Sequence, residues 1–386
     1  MRNFIFSFSL NRLLVSATDG EIFMQESLAL DSNEETEGVS FSVDRYYLLN
    51  TIKSLDEQPL TFKLMDYQIE VKHSCGRFFL KTFDIADILE YSDRRNRFDF
   101  YVNKNDRPIV NSISLEVPGI KHWIELSYNS LAYDELRPVM HCVCLDFMGD
   151  NYMQIAASDG HQLTVIKKLQ DGADFNAKLL VPRKVCKIIQ KCLPKTGMMD
   201  LAFTEYKYQK DDKAKKEYKQ YAVGTFVVCL DEKDPNHTLF VRFRDASMDG
   251  RYPNYQSVIP PTYTYFLEFN RISLLKSVNR LIHFSNDSGM LVFNFNPNKM
   301  TISAECKDFE MGASEELPCE LTSPVFEGPE LKVGFKGCII ASLLKRMVSE
   351  RVLMSFRNNI GACIMEPQPQ PDVEDLTFLI MPMLCD

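Results

Sequence analysis

The sequence lacks the features that mark membrane and secreted proteins. Its 386 residues contain no uninterrupted apolar run near the roughly 20 residues that a membrane helix needs. The first ten residues, MRNFIFSFSL, have neither a long apolar stretch nor a small-residue cleavage site, so we expect no signal peptide. Their alternating Phe4, Phe6 and Phe8 predict a strand instead. Hydrophobic residues make up 45% of the chain and charged residues 25%, which is typical of a globular protein.

Motifs of metal, nucleotide and dinucleotide sites are also missing. None of the eleven cysteines forms a CxxC pair, and there is no Walker A run, no GxGxxG and no HExxH. We therefore expect no metal site, no cofactor and no disulfide framework. Free cysteines buried in a reducing compartment indicate a cytoplasmic protein.

The chain instead repeats one plan three times. Three segments read as a strand, an alanine with polar turn residues, and a second strand: RLLVSATDGEIFM (12–24), YMQIAASDGHQLTV (152–165) and KMTISAECKDFEM (299–311). A short strand and a helix follow each of them, at 39–55, 177–193 and 331–347. Strand-like segments then close each copy.

A further strand and helix precede the second and third copies, at 112–132 and 264–285. The first copy has no counterpart, so we expect the first domain to lack its opening strand and helix. The pattern predicts an α+β protein with three similar domains of mixed strands and helices, at 1–106, 107–261 and 262–386.

Positive charge is concentrated on the predicted helices. These helices, at 44–56, 121–131, 183–195, 270–283 and 336–350, carry fourteen basic and four acidic residues, although the whole chain has a net charge of −9. Such segregation predicts a helical surface that meets phosphates without reading bases. The basic residues expected on this phosphate-facing surface are Arg183, Lys184, Lys187, Lys191, Arg271, Lys276, Arg280, Lys345 and Arg346.

Three short segments carry a family resemblance within this repeat: ASDGHQL (157–163), DGRYPNYQSVIP (249–260) and FLIMPM (378–383). In this order and at these spacings, they make the chain resemble the bacterial beta sliding clamp, the processivity subunit of DNA polymerase III. The resemblance implies a head-to-tail homodimer that closes a ring of six domains, with inner helices around duplex DNA and outer antiparallel sheets. It also implies a non-catalytic protein without a cofactor.

The resemblance further implies a hydrophobic pocket between the second and third domains, where replicative and repair polymerases and the clamp loader insert short peptides. Carried over position by position, the pocket comprises Met140, Ser158, Gly160, His161, Gln162, Leu163, Pro253, Val258, Leu379, Ile380, Met381, Pro382 and Met383. Met381, Pro382 and Met383 suit an adaptable strand end, because proline cannot donate a ladder hydrogen bond and methionine is flexible.

Two other interpretations compete with this one. Ser158, Asp159 and His161 invite a hydrolase or transferase hypothesis, but no glycine precedes the serine as in a nucleophile elbow, and the matching ATDGE of the first copy has no histidine. We therefore interpret Asp-Gly as turn chemistry. The second alternative is a clamp-fold paralogue that binds partners without closing a ring on DNA.

The sequence also departs from the family pattern in two further places. Gln162 stands where the family commonly has arginine, and the tail Leu384-Cys385-Asp386 is acidic where the family more often ends apolar or basic.

Overall fold

The structure is a computed structural model that describes residues 3–9, 11–30, 38–84, 109–133, 136–210, 217–246, 250–296, 299–321 and 331–385. Contacts divide the chain into two compact units, one of Met1–Ile120 with Lys191–Met248 and one of Lys121–Gln190 with Asp249–Asp386. The division into three domains stays a prediction, and its boundary at 106 and 107 lies outside the described residues.

Strands make up most of the secondary structure in the described residues. They are β1 (Asn3–Ser9), β2 (Arg12–Thr18), β3 (Ile22–Ala29), β4 (Ser40–Asp44), β5 (Thr61–Met65), β6 (Gln68–His73), β7 (Gly76–Phe83), β8 (Ile109–Glu116), β9 (Cys142–Met148), β10 (Tyr152–Ser158), β11 (Gln162–Leu169), β12 (Asn176–Pro182), β13 (Met198–Lys210), β14 (Glu217–Asp231), β15 (Asp234–Arg244), β16 (Tyr265–Asn270), β17 (Met290–Asn296), β18 (Lys299–Cys306), β19 (Met311–Pro318), β20 (Glu320–Leu321), β21 (Leu331–Lys336), β22 (Arg351–Phe356), β23 (Cys363–Gln368) and β24 (Asp375–Ile380).

The predicted helices are confirmed with small shifts of their ends. They are α1 (Arg45–Lys53), α2 (Val117–Tyr128), α3 (Arg183–Cys192), α4 (Arg271–Leu281) and α5 (Gly337–Arg346). Side-chain caps begin two of them: the Asp44 carboxylate accepts from the Tyr46 N–H at 2.8 Å, and the Asn270 amide oxygen accepts from the Ser273 N–H at 2.9 Å. None of the helices in the described ranges is long and apolar enough to cross a membrane.

The threefold repeat is confirmed by the order of hydrogen-bonded strands. The first half of each copy forms the same four-stranded arrangement, β4-β1-β2-β3, β12-β9-β10-β11 and β21-β17-β18-β19. The second half forms β8-β13-β14-β15 and β16-β22-β23-β24 in two copies, and β5-β6-β7 in the first. Each copy therefore builds two antiparallel sheets from the same sequence plan.

Neighbouring copies are joined by backbone pairing between sheet edges. In the first unit β3 pairs antiparallel with β15, with Met24 opposite Val241, and in the second unit β11 pairs antiparallel with β24, with Val165 opposite Thr377. Unpaired sheet edges expose backbone donors and acceptors, so this pairing satisfies them on both sides. We call β3·β15 and β11·β24 the sheet junctions.

The first copy leaves one strand less covered than its equivalents. Strand β13 is flanked by β8 and β22 by β16, whereas β5 pairs only with β6 among the strands that the structure describes. Leu64 of β5 is 43% exposed, while Met199 of β13 and Met354 of β22 are buried. Helix α1 likewise buries only Leu48. Among the described residues, the apolar core of the first copy is therefore open on one side.

The alternating prolines of EPQPQPDVED (366–375) argue against a central strand and predict an exposed connection, but part of this segment lies in the core. Strand β23 extends to Gln368, and Pro367 is buried opposite Val352 of β22. Strand β23 pairs with β24 only at residues 363–365. Pro367 therefore has a strand neighbour only on the β22 side, and its missing N–H breaks no hydrogen bond of the ladder on the β24 side. Glu374 at the end of this segment is also buried.

The expectation of buried thiols is only partly correct. All eleven cysteines are free; five of them are buried, and four, Cys75, Cys192, Cys229 and Cys338, are exposed. Burial raises the pKa of the Cys186 thiol to about 12, so this group stays protonated and unreactive.

Candidate functional site

The Ser158–His161 segment is a turn whose polar side chains bond to its own backbone. The Asp159 carboxylate accepts from the N–H groups of His161 and Gln162 at 2.8 and 2.9 Å. The Ser158 hydroxyl donates to the Gln162 carbonyl at 2.8 Å, and Gly160 has a φ of 92°, which glycine adopts without strain. The turn therefore holds a fixed shape between β10 and β11.

The first copy builds the same turn without a histidine. There the Asp19 carboxylate accepts from the N–H groups of Glu21 and Ile22 at 3.0 and 2.9 Å, and Gly20 also has a φ of 92°. The interpretation of Asp-Gly as turn chemistry is thus confirmed. Because Ser158 and Asp159 bond to the turn backbone rather than to a base, this geometry gives no activated nucleophile.

Gln162 lies beneath the turn rather than on the surface. It is 7% exposed, and its amide nitrogen donates to the Asn129 carbonyl at 3.1 Å and to the Asp159 carboxylate at 3.0 Å. Where an arginine would carry a charge, this neutral amide ties the turn to the end of α2.

The segment from Gly250 to Pro260 is anchored by two buried tyrosines. The Tyr252 hydroxyl donates to the Ala156 carbonyl at 3.4 Å, and the Tyr255 hydroxyl donates to the Asp146 carboxylate at 2.8 Å. Burial and the neighbouring Asp146 charge raise the pKa of Tyr255 well above its ordinary value. These anchors leave Pro253 and Val258 exposed beside β10.

The C-terminal segment runs from the core to the surface at Met381. Leu379 and Ile380 are buried in β24, whereas Met381 is 40% exposed. The Met381 N–H donates to the His161 carbonyl at 2.8 Å, so the segment lies directly beside the turn. The Met383 N–H donates to the Gly334 carbonyl at 2.7 Å and fixes the end of the segment.

The structure brings most of the predicted pocket residues together but sorts them into two layers. The exposed or half-buried ones are Ser158, Gly160, His161, Pro253, Val258, Met381, Pro382 and Met383. The buried ones, which support this surface from below, are Met140, Gln162, Leu163, Leu379 and Ile380. We call the exposed set, where the peptide pocket is predicted to lie, the tail groove.

Sequence reasoning missed one charged neighbour of the tail groove. A Cβ added at Gly160 would lie 3.1 Å from an Arg137 Nη atom, so the guanidinium packs against the turn. Arg137 precedes the short Pro138–His141 helix that contains Met140. Its position could have been suspected only from that proximity in sequence.

The basic residues on the helices fall into two classes. The arginines are bound by the protein itself: Arg183 stacks on Tyr133 with its Cζ 3.8 Å from the ring centre, and Arg271 donates to the Leu344 carbonyl at 3.0 Å. Arg280 forms a bidentate pair with Glu315 at 2.6 and 2.7 Å. A planar, weakly hydrated guanidinium suits such packing better than an ammonium does.

Arg346 departs furthest from the expected DNA-facing role. Its Nη1 atom donates to the Leu126 carbonyl and to the hydroxyls of Ser130 and Thr164, the latter two at 3.2 and 3.3 Å, and its Cζ lies 5.2 Å from the centre of the Phe378 ring. Burial lowers its pKa to about 10. By contrast, Lys184, Lys187, Lys191, Lys276 and Lys345 are exposed.

Within the described ranges, no group of three or more His, Cys, Asp or Glu residues could hold a metal ion.

Comparison with known proteins identifies this arrangement. The chain is 24% identical over 377 residues to the beta sliding clamp of Vibrio cholerae. The matched region covers 97% of this chain and 89% of that protein. The beta sliding clamp of Haemophilus influenzae is 22% identical over 374 residues, covering 96% of this chain and 88% of that protein. Over nearly its whole length, this chain is similar to bacterial beta sliding clamps. No protein-family model matches it.

Solved beta-clamp structures share its fold. The DNA polymerase III subunit beta of Pseudomonas aeruginosa matches with a TM-score of 0.77 at 16% identity, covering 100% of this chain and 93% of that chain. A second clamp structure, of the Pseudomonas aeruginosa DNA polymerase sliding clamp, matches with a TM-score of 0.75 at 17% identity, covering 100% of this chain and 92% of that chain. The predicted clamp fold, rich in antiparallel sheets with few helices, is confirmed.

One contact in this beta-clamp fold joins residues that are far apart in sequence. The buried Glu374 carboxylate meets the His122 Nε2 atom at 2.9 Å and accepts from the Trp123 indole N–H at 3.0 Å. The hydrogen bond that His122 donates to the Glu374 carboxylate raises the pKa of His122 above its ordinary value of 6.5, burial opposes this effect, and the charges of Glu374 and Glu125 add to it. Lys168 lies over the Trp123 ring, 4.1 Å from its centre.

We predict that this contact stabilises the protein more at low pH than at high pH. Because the folded pKa of His122 lies above its unfolded value, the stabilisation is fully present below that unfolded value and is lost as pH rises through the folded pKa. His122 is half exposed, so the effect should be less than about 1 kcal/mol. Urea unfolding of the wild type and Glu374→Gln from pH 5.5 to 9, followed by Trp123 fluorescence, measures it.

The difference in free energy of unfolding between the two proteins should shrink as pH rises. The variant Glu315→Gln, which breaks the remote pair with Arg280, provides the control, since its difference from wild type should stay constant over this range. A pH-independent difference for Glu374→Gln would contradict the assignment.

Proposed function

We propose that this protein is a sliding clamp: a non-catalytic processivity factor that encircles duplex DNA as a homodimeric ring and tethers polymerases through short peptides. The observation that carries the proposal is the pair of sheet junctions. In each one, the last strand from the first half of one copy pairs with the last strand of the next copy, as in β3·β15 and β11·β24.

The same rule assigns the contact between two protomers. The last strand of the first half of the third copy is β19, and the last strand of the first copy is β7. Along β19 the described pairing is with β18 alone, and β7 pairs with β6 along its length but with β4 only at Thr82 and Phe83. Pairing β19 with β7 of a second molecule repeats the junction, and two such contacts close a ring of six copies.

Charge and side-chain character support this third junction. Strand β7 carries Arg77 and Lys81 and exposes Phe79, which is 48% exposed. Strand β19 carries Glu315 and Glu316, which pair within the chain with Arg280 and Lys299 and keep this edge acidic. Opposite charges on facing strands favour their pairing and disfavour self-association of either edge.

The exposed helical lysines supply the contact with DNA. Lys184, Lys187, Lys191, Lys276 and Lys345 are long, hydrated cations that meet phosphates without fixing a base sequence, as sliding requires. The arginines on the same helices serve mainly to pack these helices against their surroundings.

The tail groove receives the partner peptide. One leucine and one aromatic side chain buried there would contribute roughly 1.5–3 kcal/mol each, and ordering the peptide offsets part of this, so we expect micromolar affinity. Replicative and repair polymerases and the clamp loader are the partners that this site would serve.

A second candidate is a clamp-fold paralogue that binds partners without closing a ring. The open side of the first copy around β5 favours it, because that copy also supplies the β7 edge. The mass of the protein in solution and its retention on circular DNA distinguish the two functions.

We predict that reversing charge on β7 breaks the dimer. Lys81→Glu places an acidic residue opposite the two glutamates of β19, so repulsion replaces attraction, and it leaves the ion pair of Arg77 with the buried Glu70 intact. Light scattering after gel filtration at micromolar concentration should give a dimer of the 44.6 kDa chain for wild type and a monomer for the variant. Lys63→Glu on exposed β5 is the control and should stay dimeric. A monomeric wild type would support the paralogue instead.

We predict that Lys187→Glu, Lys191→Glu and Lys276→Glu together weaken retention on nicked circular DNA. The slope of log affinity against log salt should become shallower by about 0.9 for each phosphate that the variant no longer neutralises. A triple variant at Lys63, Lys233 and Lys332, exposed lysines outside the helices, has the same charge and should retain DNA normally. Equal retention of DNA by both triple variants would contradict the assignment of these helices to the surface that contacts DNA.

We predict that a Gln-x-x-Leu-Phe peptide binds the wild type with micromolar affinity and binds Met381→Ala about tenfold more weakly, since a decrease of about 1.4 kcal/mol in burial free energy changes affinity tenfold. A chain ending at Ile380 should not bind measurably. This truncation removes Met381, Pro382 and Met383 but keeps all of the buried strand β24. Met311→Ala, an exposed methionine on β19, is the control. Calorimetry showing equal binding by all four proteins would place the peptide elsewhere.

A further inference from the structure

Arg346 joins a helix of the third copy to the strand pair that borders the tail groove. It is the last residue of α5, and its Nη1 atom donates to the Leu126 carbonyl in the last turn of α2 and to the Thr164 hydroxyl of β11, the latter at 3.3 Å. A carbonyl in the last turn of a helix favours a cation. The Arg346 Cζ also lies 5.2 Å from the centre of the Phe378 ring, opposite Thr164 in the β11·β24 junction. One guanidinium therefore contacts both strands of that junction.

From Arg346, hydrogen bonds lead to the turn that forms one wall of the tail groove. The Arg346 Nη1 atom donates to the Ser130 hydroxyl at 3.2 Å, and this hydroxyl donates to the Gln162 amide oxygen at 3.5 Å. The Gln162 amide nitrogen donates to the Asp159 carboxylate, which also accepts from the His161 N–H at 2.8 Å. Ser130 and Gln162 are buried. We call Arg346, Ser130, Gln162 and Asp159 the polar link.

The polar link has one consistent arrangement of donors and acceptors. Arginine can only donate, so the hydroxyls of Ser130 and Thr164 both accept from it. These hydroxyls lie 2.7 Å apart, and because Ser130 donates to Gln162, Thr164 donates to Ser130. The Gln162 amide nitrogen faces two acceptors on its other side, so its amide oxygen faces Ser130. Arg346 thus fixes the orientation of the Gln162 side chain beneath the turn.

The turn of the first copy forms without a polar link. At the position of Gln162 it has the buried Ile22, and its N–H groups make the same bonds to Asp19. At the position of Arg346, the last residue of the matching helix α3 is Cys192. The cation and the amide therefore occur together at the junction beside the tail groove, and both are replaced at the other junction.

A buried polar network is often no more stabilising than apolar packing, but its directional bonds specify positions. We propose that Arg346 is a positioning residue for partner binding: acting through Ser130 and Gln162 from outside the tail groove, it holds the turn in the shape that receives the peptide. The Met381 N–H donates to the His161 carbonyl, so movement of the turn would also move the C-terminal segment of the groove. This inference rests on the proposed function of the tail groove.

Loss of the Ser130 hydroxyl interrupts the polar link without changing the groove or the cation. In calorimetry with the Gln-x-x-Leu-Phe peptide, Ser130→Ala should bind about fivefold more weakly than wild type, which corresponds to one net hydrogen bond. Ser127→Ala is the matched control and should bind as wild type does. Ser127 is equally buried, and its hydroxyl has no hydrogen-bond partner among the described residues.

Arg346→Met removes the guanidinium but keeps an apolar side chain against Phe378, and it should weaken peptide binding by about tenfold or more. Arg271→Met is its control, since Arg271 donates to the Leu344 carbonyl at the end of α5 instead of to the polar link. If Arg346 only stabilised the fold, both variants would lower the midpoint of urea unfolding and both would bind the peptide as wild type does. Ser130→Ala keeps the test decisive if Arg346→Met does not fold.

Hydrogen exchange of the free protein reports on the turn itself. In Ser130→Ala, the amides of residues 158–163 should exchange faster, while those of residues 18–23, the turn that contains Ile22, should keep the wild-type rate. Unchanged exchange at 158–163, or equal peptide affinity of Ser130→Ala and Ser127→Ala, would overturn the proposal. A wild type that binds no peptide would overturn the proposed function of the groove, and the exchange difference would still establish that the polar link holds the turn.

Discussion

Backbone pairing between sheet edges is the interaction on which this architecture depends. The junctions β3·β15 and β11·β24 join successive copies of the repeat through main-chain hydrogen bonds, which impose a direction and a register that side-chain packing alone would leave adjustable. In a chain of three copies, two such edges remain without a partner copy: β19, the last strand in the first half of the third copy, and β7, the last strand of the first copy. The proposed ring, the phosphate-facing helices and the tail groove between strands of different copies all follow from repeating this one contact.

Much of the fold could be predicted because its signals are local. Helical spacing of apolar residues indicated α3 and α5, and the repeat indicated the other three described helices; in α3, Val185, Cys186 and Ile189 are buried between exposed lysines. The Asp-Gly turn was also readable, since Asp159 bonds within its own four residues. The course of β23 through Pro367 could not be predicted, because a strand can include proline only where no neighbouring strand needs its N–H, and this depends on how far β24 pairs with β23.

The candidate site was predicted less completely, because tertiary partners decide which side chains stay exposed. Leu379 and Met381 are two residues apart in one apolar segment, yet only the second reaches the surface. Gln162 can be buried because its neutral amide donates a hydrogen bond to the Asn129 carbonyl, thirty-three residues away. Arg346 has the sequence signature of a surface cation, and only the folded chain shows that the end of α2 and Thr164 enclose it. Both partners are far from residue 346 in the sequence, so nothing near that residue indicates that it will be buried.

The open side of the first copy has a consequence for how the chain unfolds. Among the described residues, its core cluster holds six buried apolar residues, Phe6, Phe41, Val43, Leu48, Ile69 and Val71, while ten neighbours are only partly buried. Less apolar area is removed from water there, so local opening of β5, β6 and β7 costs less free energy than opening of β13 or β22. Backbone amides of β5 to β7 would then exchange with solvent through openings of their own, while the rest of the protein remains folded.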